Sequence, residues 1–204
     1  MKELEIKRVL VQELLRESSV EVLASEFLFD FGRCRADLIC VKEGELYGYE
    51  IKSAFDKTAR LENQLDSYFQ LFDYVTVVCD YKHFQDVKKT ASHRTGIFFC
   101  GEDGIIKRRS PKKVLKQNAL VILDAMPSDY LRRHFSVSAK SKFDLCEQIK
   151  RQFCKQDIKV GFVKYLAERM GPQTRLLRSE VGRVVTLDDF FSLGLSSAQI
   201  AQEA

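Results

Sequence analysis

Asp37, Glu50 and Lys52 are the residues of this chain whose types and spacing could do chemistry together. They lie in "ADLICVKEGELYGYEIKS", two apolar runs joined by "KEGE" with Gly44 at its centre, the pattern of a tight β-hairpin. With the turn centred on Glu43 and Gly44, Lys42 faces Glu45 and Asp37 faces Glu50. Opposed strand residues share a sheet face with Cβ atoms roughly 4.5–5.5 Å apart. Lys52 shares the face of Glu50 because side chains alternate with period two. Two carboxylates that close repel unless a proton or a cation lies between them. Hard oxygen ligands select Mg²⁺ or Mn²⁺, and a lysine beside the ion can touch a bound water or a phosphate oxygen. These are the parts of metal-assisted phosphodiester hydrolysis. The same three charges also suit an exposed hairpin carrying a surface ion-pair cluster, and the spacing alone leaves both readings open.

Asp37 followed by "YEIK" resembles the PD-(D/E)XK nuclease superfamily, and "EIKSAFDKTARLENQLDSYFQLFDYVTVVCD" is similar to the segment after the catalytic lysine in a small bacterial subfamily. Gln64 and Tyr68 match the QxxxY element of RecB-like members, and Ala36 stands where proline is common. The resemblance covers residues 24–100 and is loose beyond them. It implies an α/β fold, a restriction-endonuclease-like αβββαβ core with a mixed central sheet, and a Mg²⁺- or Mn²⁺-dependent nuclease acting on nucleic acid, chiefly DNA. Catalysis would fall to Asp37, Glu50 and Lys52. The metal would be held by Asp37, Glu50, the Ile51 carbonyl and Glu26. Lys52 would activate water or stabilise phosphate charge. Gln64 would fix the lysine or a phosphate, and Tyr68 would do the same or pack in the core. The alternative is a nucleic-acid-binding module with lapsed chemistry, or an interaction module, on the same fold.

Around these residues, apolar spacing predicts a helix over 3–16, strands over 20–31, 35–41 and 46–53, and a helix over 60–72. A doubly buried strand over 74–80, a short helix over 84–90, a strand over 96–100 and an edge hairpin through "GEDG" follow. Past residue 112 strand signals fade and helix starts recur at Ser128, Ser141, Thr186 and Ser196. The chain therefore divides into an α/β core over 1–111 and a helical C-terminal region over 112–204.

Cations gather at Lys57 and Arg60 and again at Lys107, Arg108, Arg109, Lys112 and Lys113, candidates for phosphate contact or a solvated face. Arg60, Lys107, Arg108 and Arg109, with Gln64 and Tyr68, form the expected nucleic-acid surface. A net charge of +4 over 204 residues permits a polyanionic partner without requiring one. Hydrophobic content of 45% with 30% charged residues excludes a disordered chain. The six cysteines lack CxxC spacing and a nearby His pair, which predicts no zinc site, and the charged start "MKELEIKRVLVQELLRE", unlike a signal peptide, predicts a reduced, cytoplasmic protein. No apolar run approaches the ~20 residues of a membrane span. The three histidines adjoin no recognisable nucleophile, and no Walker A or GxGxxG element marks a nucleotide site.

Overall fold

A computed structural model describes residues 1–101 and 104–180 of the chain. Helix α1 (Glu3–Arg16) leads into strands β1 (Val20–Phe29), β2 (Cys34–Lys42) and β3 (Glu45–Lys52). A 3₁₀ turn (Thr58–Arg60) and α2 (Leu61–Leu71) precede β4 (Tyr74–Asp80), a second 3₁₀ turn (Tyr81–His83) and α3 (Phe84–Thr90). Strands β5 (Gly96–Gly101) and β6 (Gly104–Arg109) complete one six-stranded sheet in the order β1-β2-β3-β4-β5-β6. It is mixed: β3-β4 and β4-β5 are parallel and the other pairs antiparallel. Helices α4 (Ala119–Asp124), α5 (Ser128–Phe135), α6 (Lys142–Gln152) and α7 (Lys155–Glu180) follow.

The hairpin turn is as tight as its composition requires. Glu43 and Gly44 both have left-handed backbone, as a two-residue I′ turn demands, and Lys42 pairs with Glu45. The strand expected over 20–31 ends sooner, at Phe29. Asp30 and Phe31 turn left-handed and Phe31 faces solvent, so the alternation of Phe27 and Phe29 stops there.

The sheet is covered on both faces. Leu4, Leu10, Val11 and Leu14 of α1 pack on Leu23, Leu38, Tyr49 and Val78. On the opposite face Val22, Ile39, Val75 and Val77 meet α2, and the same cluster runs on through Ile122, Leu131, Leu145 and Phe162 of α4–α7. The helical C-terminal region thus shares its apolar core with the sheet. Ser141 caps α6 by accepting from the Asp144 N–H at 3.1 Å, as its spacing predicts. The starts expected at Thr186 and Ser196 lie outside the described residues. At Gly48 a Cβ would come within 2.5 Å of the Phe72 ring, so only glycine lets the end of α2 settle on β3.

The outer edge of β1 is closed by α7 instead of another strand. Thr174 Oγ1 accepts from the Leu23 N–H at 2.9 Å and donates to the Leu23 carbonyl at 3.3 Å. Arg178 donates to the Val20 carbonyl at 2.7 Å. Side chains supply what a neighbouring strand would, and the edge is not left open for pairing. Among the described residues, no helix is long and apolar enough to cross a membrane.

Candidate functional site: a carboxylate pocket at the end of the hairpin

Ladder pairing between β2 and β3 stops at Leu38–Tyr49, one step before Asp37 and Glu50. Beyond it the rungs are side chains. The Tyr68 hydroxyl accepts from the Asp37 N–H and donates to the Tyr49 carbonyl, both at 3.3 Å. Asp37 Oδ2 accepts from the Ile51 N–H at 2.6 Å. Tyr68 is fully buried and both hydroxyl bonds are internal, which corrects its assignment as a nucleic-acid contact. It is a wedge that holds the strand ends apart.

A second irregularity lies beside the first. Glu26 sits in the interior of β1 with φ 56°, left-handed backbone that costs a non-glycine residue about 1–3 kcal/mol. On β1 the core on the α2 side takes Val22 and Ala24 before this point and Phe27 and Phe29 after it. On β2 the change falls between Ile39 and Ala36. The alternation switches parity in both strands, and at this crease carboxylates from the two faces of the sheet come together. Glu3, Glu26 and Asp37 each offer an oxygen within 4.8 Å of the other two.

Between them stands a cation that sequence reading passed over. Lys7, with no solvent exposure, donates to Glu26 Oε1 at 2.7 Å and pairs with Glu3 Oε1 at 3.3 Å. Burial alone would lower the Lys7 pKa, but Asp37, Glu26 and Glu3 together raise it, so the ammonium stays charged. Arg35 takes the other oxygen of Glu26 at 2.7 Å. Both Glu26 oxygens are therefore engaged, and Glu26 serves first as a counterion.

Towards α2, Lys52 donates to Glu50 Oε1 at 2.7 Å and to Gln64 Oε1 at 3.0 Å. Glu50 is 1% and Lys52 7% exposed, and burial of the ammonium is outweighed by Glu50, which raises its pKa. Glu50 Oε2 is buried without a hydrogen bond of its own, and the Tyr68 hydroxyl lies near enough that Glu50 helps burial to push the Tyr68 pKa up. Burial, then the charge of Glu50, pushes the Asp37 carboxyl well above the usual carboxylate range. Four carboxylates (Glu3, Glu26, Asp37, Glu50) face three cations (Lys7, Arg35, Lys52), and the shortfall falls on Asp37 and Glu50. The Ile51 carbonyl belongs to the same strand end, and its N–H is the one that Asp37 takes.

The expected basic surface is dispersed. Arg109 spends its guanidinium on the carbonyls of Thr95 at 2.7 Å, Ser92 at 2.8 Å and Ala91 at 3.3 Å, which makes it a loop tether and corrects its assignment to nucleic acid. Lys107 lies over Phe98 and Arg108 over Phe99, residues of the opposite-facing cores, so these two cations are on different faces of the sheet. Arg60 is exposed at the start of α2.

A family model described as bacteriophage P4 protein cII matches residues 1–194. The chain belongs to that family. Protein cII of Enterobacteria phage P4 is 35% identical over 101 residues, a stretch covering 42% of this chain and 38% of that protein. The chain thus matches well under two thirds of the phage protein's length. Among solved structures, a protein of unknown function from Silicibacter pomeroyi overlaps 58% of this chain and 82% of its own at a TM-score of 0.43 and 17% identity.

Membership of the cII family overturns the resemblance to PD-(D/E)XK nucleases and, with it, the reading of the chain as a nuclease: neither match indicates nuclease activity. In this cII-family chain Lys52 is turned inward onto Glu50 and Gln64, so the three-residue pattern marks a buried charge cluster before it marks any reaction.

Proposed function

We propose that this cII-family protein binds a divalent cation, Mg²⁺ or Mn²⁺, between Asp37 and Glu50, and through this pocket holds a phosphate group of nucleic acid. The observation that carries the reading is Glu50 Oε2, a buried oxygen without a hydrogen-bond donor, next to a carboxyl whose pKa is raised. Orphaned buried acceptors are rare, because each costs about 1–3 kcal/mol or more when charged. The donors are all oxygen, which suits a hard cation. Asp37 and Glu50 would hold the ion, with Glu26 and Glu3 kept in balance by Lys7. When bound, the ion supplies positive charge to a phosphate oxygen. Lys52, ordered by Gln64, adds its own.

The helix, three strands, helix, strand order supports reading the core as an αβββαβ arrangement, with the carboxylates at the end of its hairpin. The absence of disulfides among the six cysteines supports a reducing, cytoplasmic setting.

Thermal unfolding with and without Mn²⁺ tests the reading. A cation bound only by the native state stabilises it by about 2.7 kcal/mol at a hundredfold excess over Kd. Wild type should melt higher in Mn²⁺, and Glu50→Gln should lose that shift. An equal shift in both proteins would refute the site.

A further inference from the structure

Beside the pocket, two aromatic side chains stand in water. Phe55 is 78% exposed and Tyr81 70% exposed. They follow the C-terminal ends of the neighbouring parallel strands β3 and β4, where Lys52 pairs with Cys79. Single exposed apolar residues are ordinary, but these two are held in place. The Phe55 turn is fixed by Asp56 Oδ2 accepting from the Ser53 N–H at 2.6 Å and by Ser53 Oγ accepting from the Phe55 N–H at 3.3 Å. Asp80 Oδ1 accepts from the Lys82 N–H at 3.0 Å and caps the Tyr81 turn. Lys82 Nζ then donates to the Ala54 carbonyl at 2.9 Å and ties the two turns together.

Tyr81 continues inward as a stack. Its ring is nearly parallel to Phe84, 6.5 Å between centroids, and meets Phe99 edge-on at 5.7 Å. The Arg108 guanidinium lies 4.8 Å from the Phe99 centroid. Cations adjoin the rings along the chain: the exposed Lys57 and Arg60 follow Phe55 within five residues, and Lys82 follows Tyr81. The carboxylates next to the two rings in the chain are engaged, Asp56 on the Ser53 N–H and Asp80 on the N-terminal ammonium at 2.6 Å.

We infer that Phe55 and Tyr81 form a base-stacking platform, and that the partner of the carboxylate pocket is single-stranded nucleic acid. The inference rests on the phosphate-binding reading above and names its partner class. Rigid exposed rings beside Lys and Arg are what unpaired bases stack on, whereas a duplex keeps its base faces stacked inside. Phe55 is three residues beyond Lys52, so roughly 10 Å of chain at most separates the platform from the phosphate contact. One strand can therefore touch both.

The chain has no tryptophan, so a Phe55→Trp variant reports on the platform directly. Oligothymidine should quench its emission, and the corresponding duplex should not. By fluorescence anisotropy, Phe55→Ala and Tyr81→Ala should each weaken binding to a single strand about tenfold, within the range of stacking contacts, and leave duplex binding unchanged. Both should keep the Mn²⁺-dependent rise in melting temperature. A Phe55→Ala/Tyr81→Ala double variant that binds the single strand within twofold of wild type, or that loses duplex binding equally, would overturn the platform. If wild type shows no Mn²⁺ shift while the stacking losses appear, the platform stands and the cation site falls.

Discussion

Strand β3 carries a charge cluster at each end, and the two are built on opposite principles. At its start, Lys159 of α7 donates to Glu45 at 2.6 Å and pairs with Asp73 at 2.8 Å. Lys113 takes the other oxygen of Glu45 at 2.6 Å. Asp73 also accepts from the Leu46 N–H at 2.8 Å and from Gln117 at 2.9 Å. Two carboxylates meet two lysines, every visible bond is closed, and the cluster fastens the hairpin turn to the C-terminal region. At its finish Glu50 leaves a buried oxygen without a donor. Burial raises the Asp73 carboxyl at one end and the Asp37 carboxyl at the other, so the two ends differ in their hydrogen bonds. A charge cluster that completes its own bonds is a fastener. One that stops short leaves a demand for positive charge unmet.

The largest effect should come from the closed end. Lys159→Ala leaves Glu45 facing the buried Asp73, and losing one partner of a largely buried network costs about 3 kcal/mol. Urea denaturation should show a lower midpoint at unchanged m, and Mn²⁺ should not restore it. Recovery in Mn²⁺ would erase the distinction between the two ends.

The next contrast is in pH. Burial pushes the Glu45 carboxyl up, but its bonds to Lys113 and Lys159 outweigh this and hold it at about 2, against an ordinary 4.5. Its stabilisation is present above 4.5 and lost as pH falls towards 2. Asp37 behaves in the reverse sense. Its folded pKa lies above the ordinary 3.8, so the native state binds the proton more tightly and stability falls as pH rises from 3.8 through the raised value. In metal-free protein, Asp37→Asn should abolish that fall and melt higher than wild type at neutral pH, and Glu45→Gln should blunt the loss in acid. A neutral-pH melt lower in Asp37→Asn would show that the carboxylate is already paid for by Lys7.

The smallest effect should be at the exposed Lys113. Its removal leaves Glu45 its better-buried partner Lys159, so Lys113→Ala should cost no more than ~0.5 kcal/mol in the same urea titration. A larger loss would mean that the closed cluster depends on its rim.

What the sequence made legible follows from how local each signal is. Helix α1, the Glu43–Gly44 turn and the doubly apolar β4 are written in short-range periodicity and turn chemistry, and they stand where the residues place them. Lys7 was not legible. On α1 it reads as the partner of Glu3 in an ordinary i, i+4 surface pair, and only the crease at Glu26 shows that it is buried. Tyr68 was left between a phosphate contact and core packing, and Arg109 was misread, for a related reason: a hydroxyl or a guanidinium has the same letter whether it faces a partner or mends a gap in its own backbone. Helix α7 lies in the region read as helical, but its start and length were not legible because Gly171 and Pro172 interrupt its pattern, and it continues through them. The nuclease motif failed for want of length. Three charges specify a place in a hairpin, and the match over residues 1–194 carries far more information.

The way α7 covers β1 has a consequence for how the chain is made. Strands β1–β3 and their turn leave the ribosome early, but Thr174 and Arg178, which satisfy the outer edge of β1, are more than 150 positions later than Leu23 and Val20. At roughly 5–20 residues per second, that edge waits on the order of ten seconds or more for its cover. For that interval the nascent protein presents an unpaired apolar strand to its surroundings, and its risk of aggregating is set by translation speed as much as by final stability.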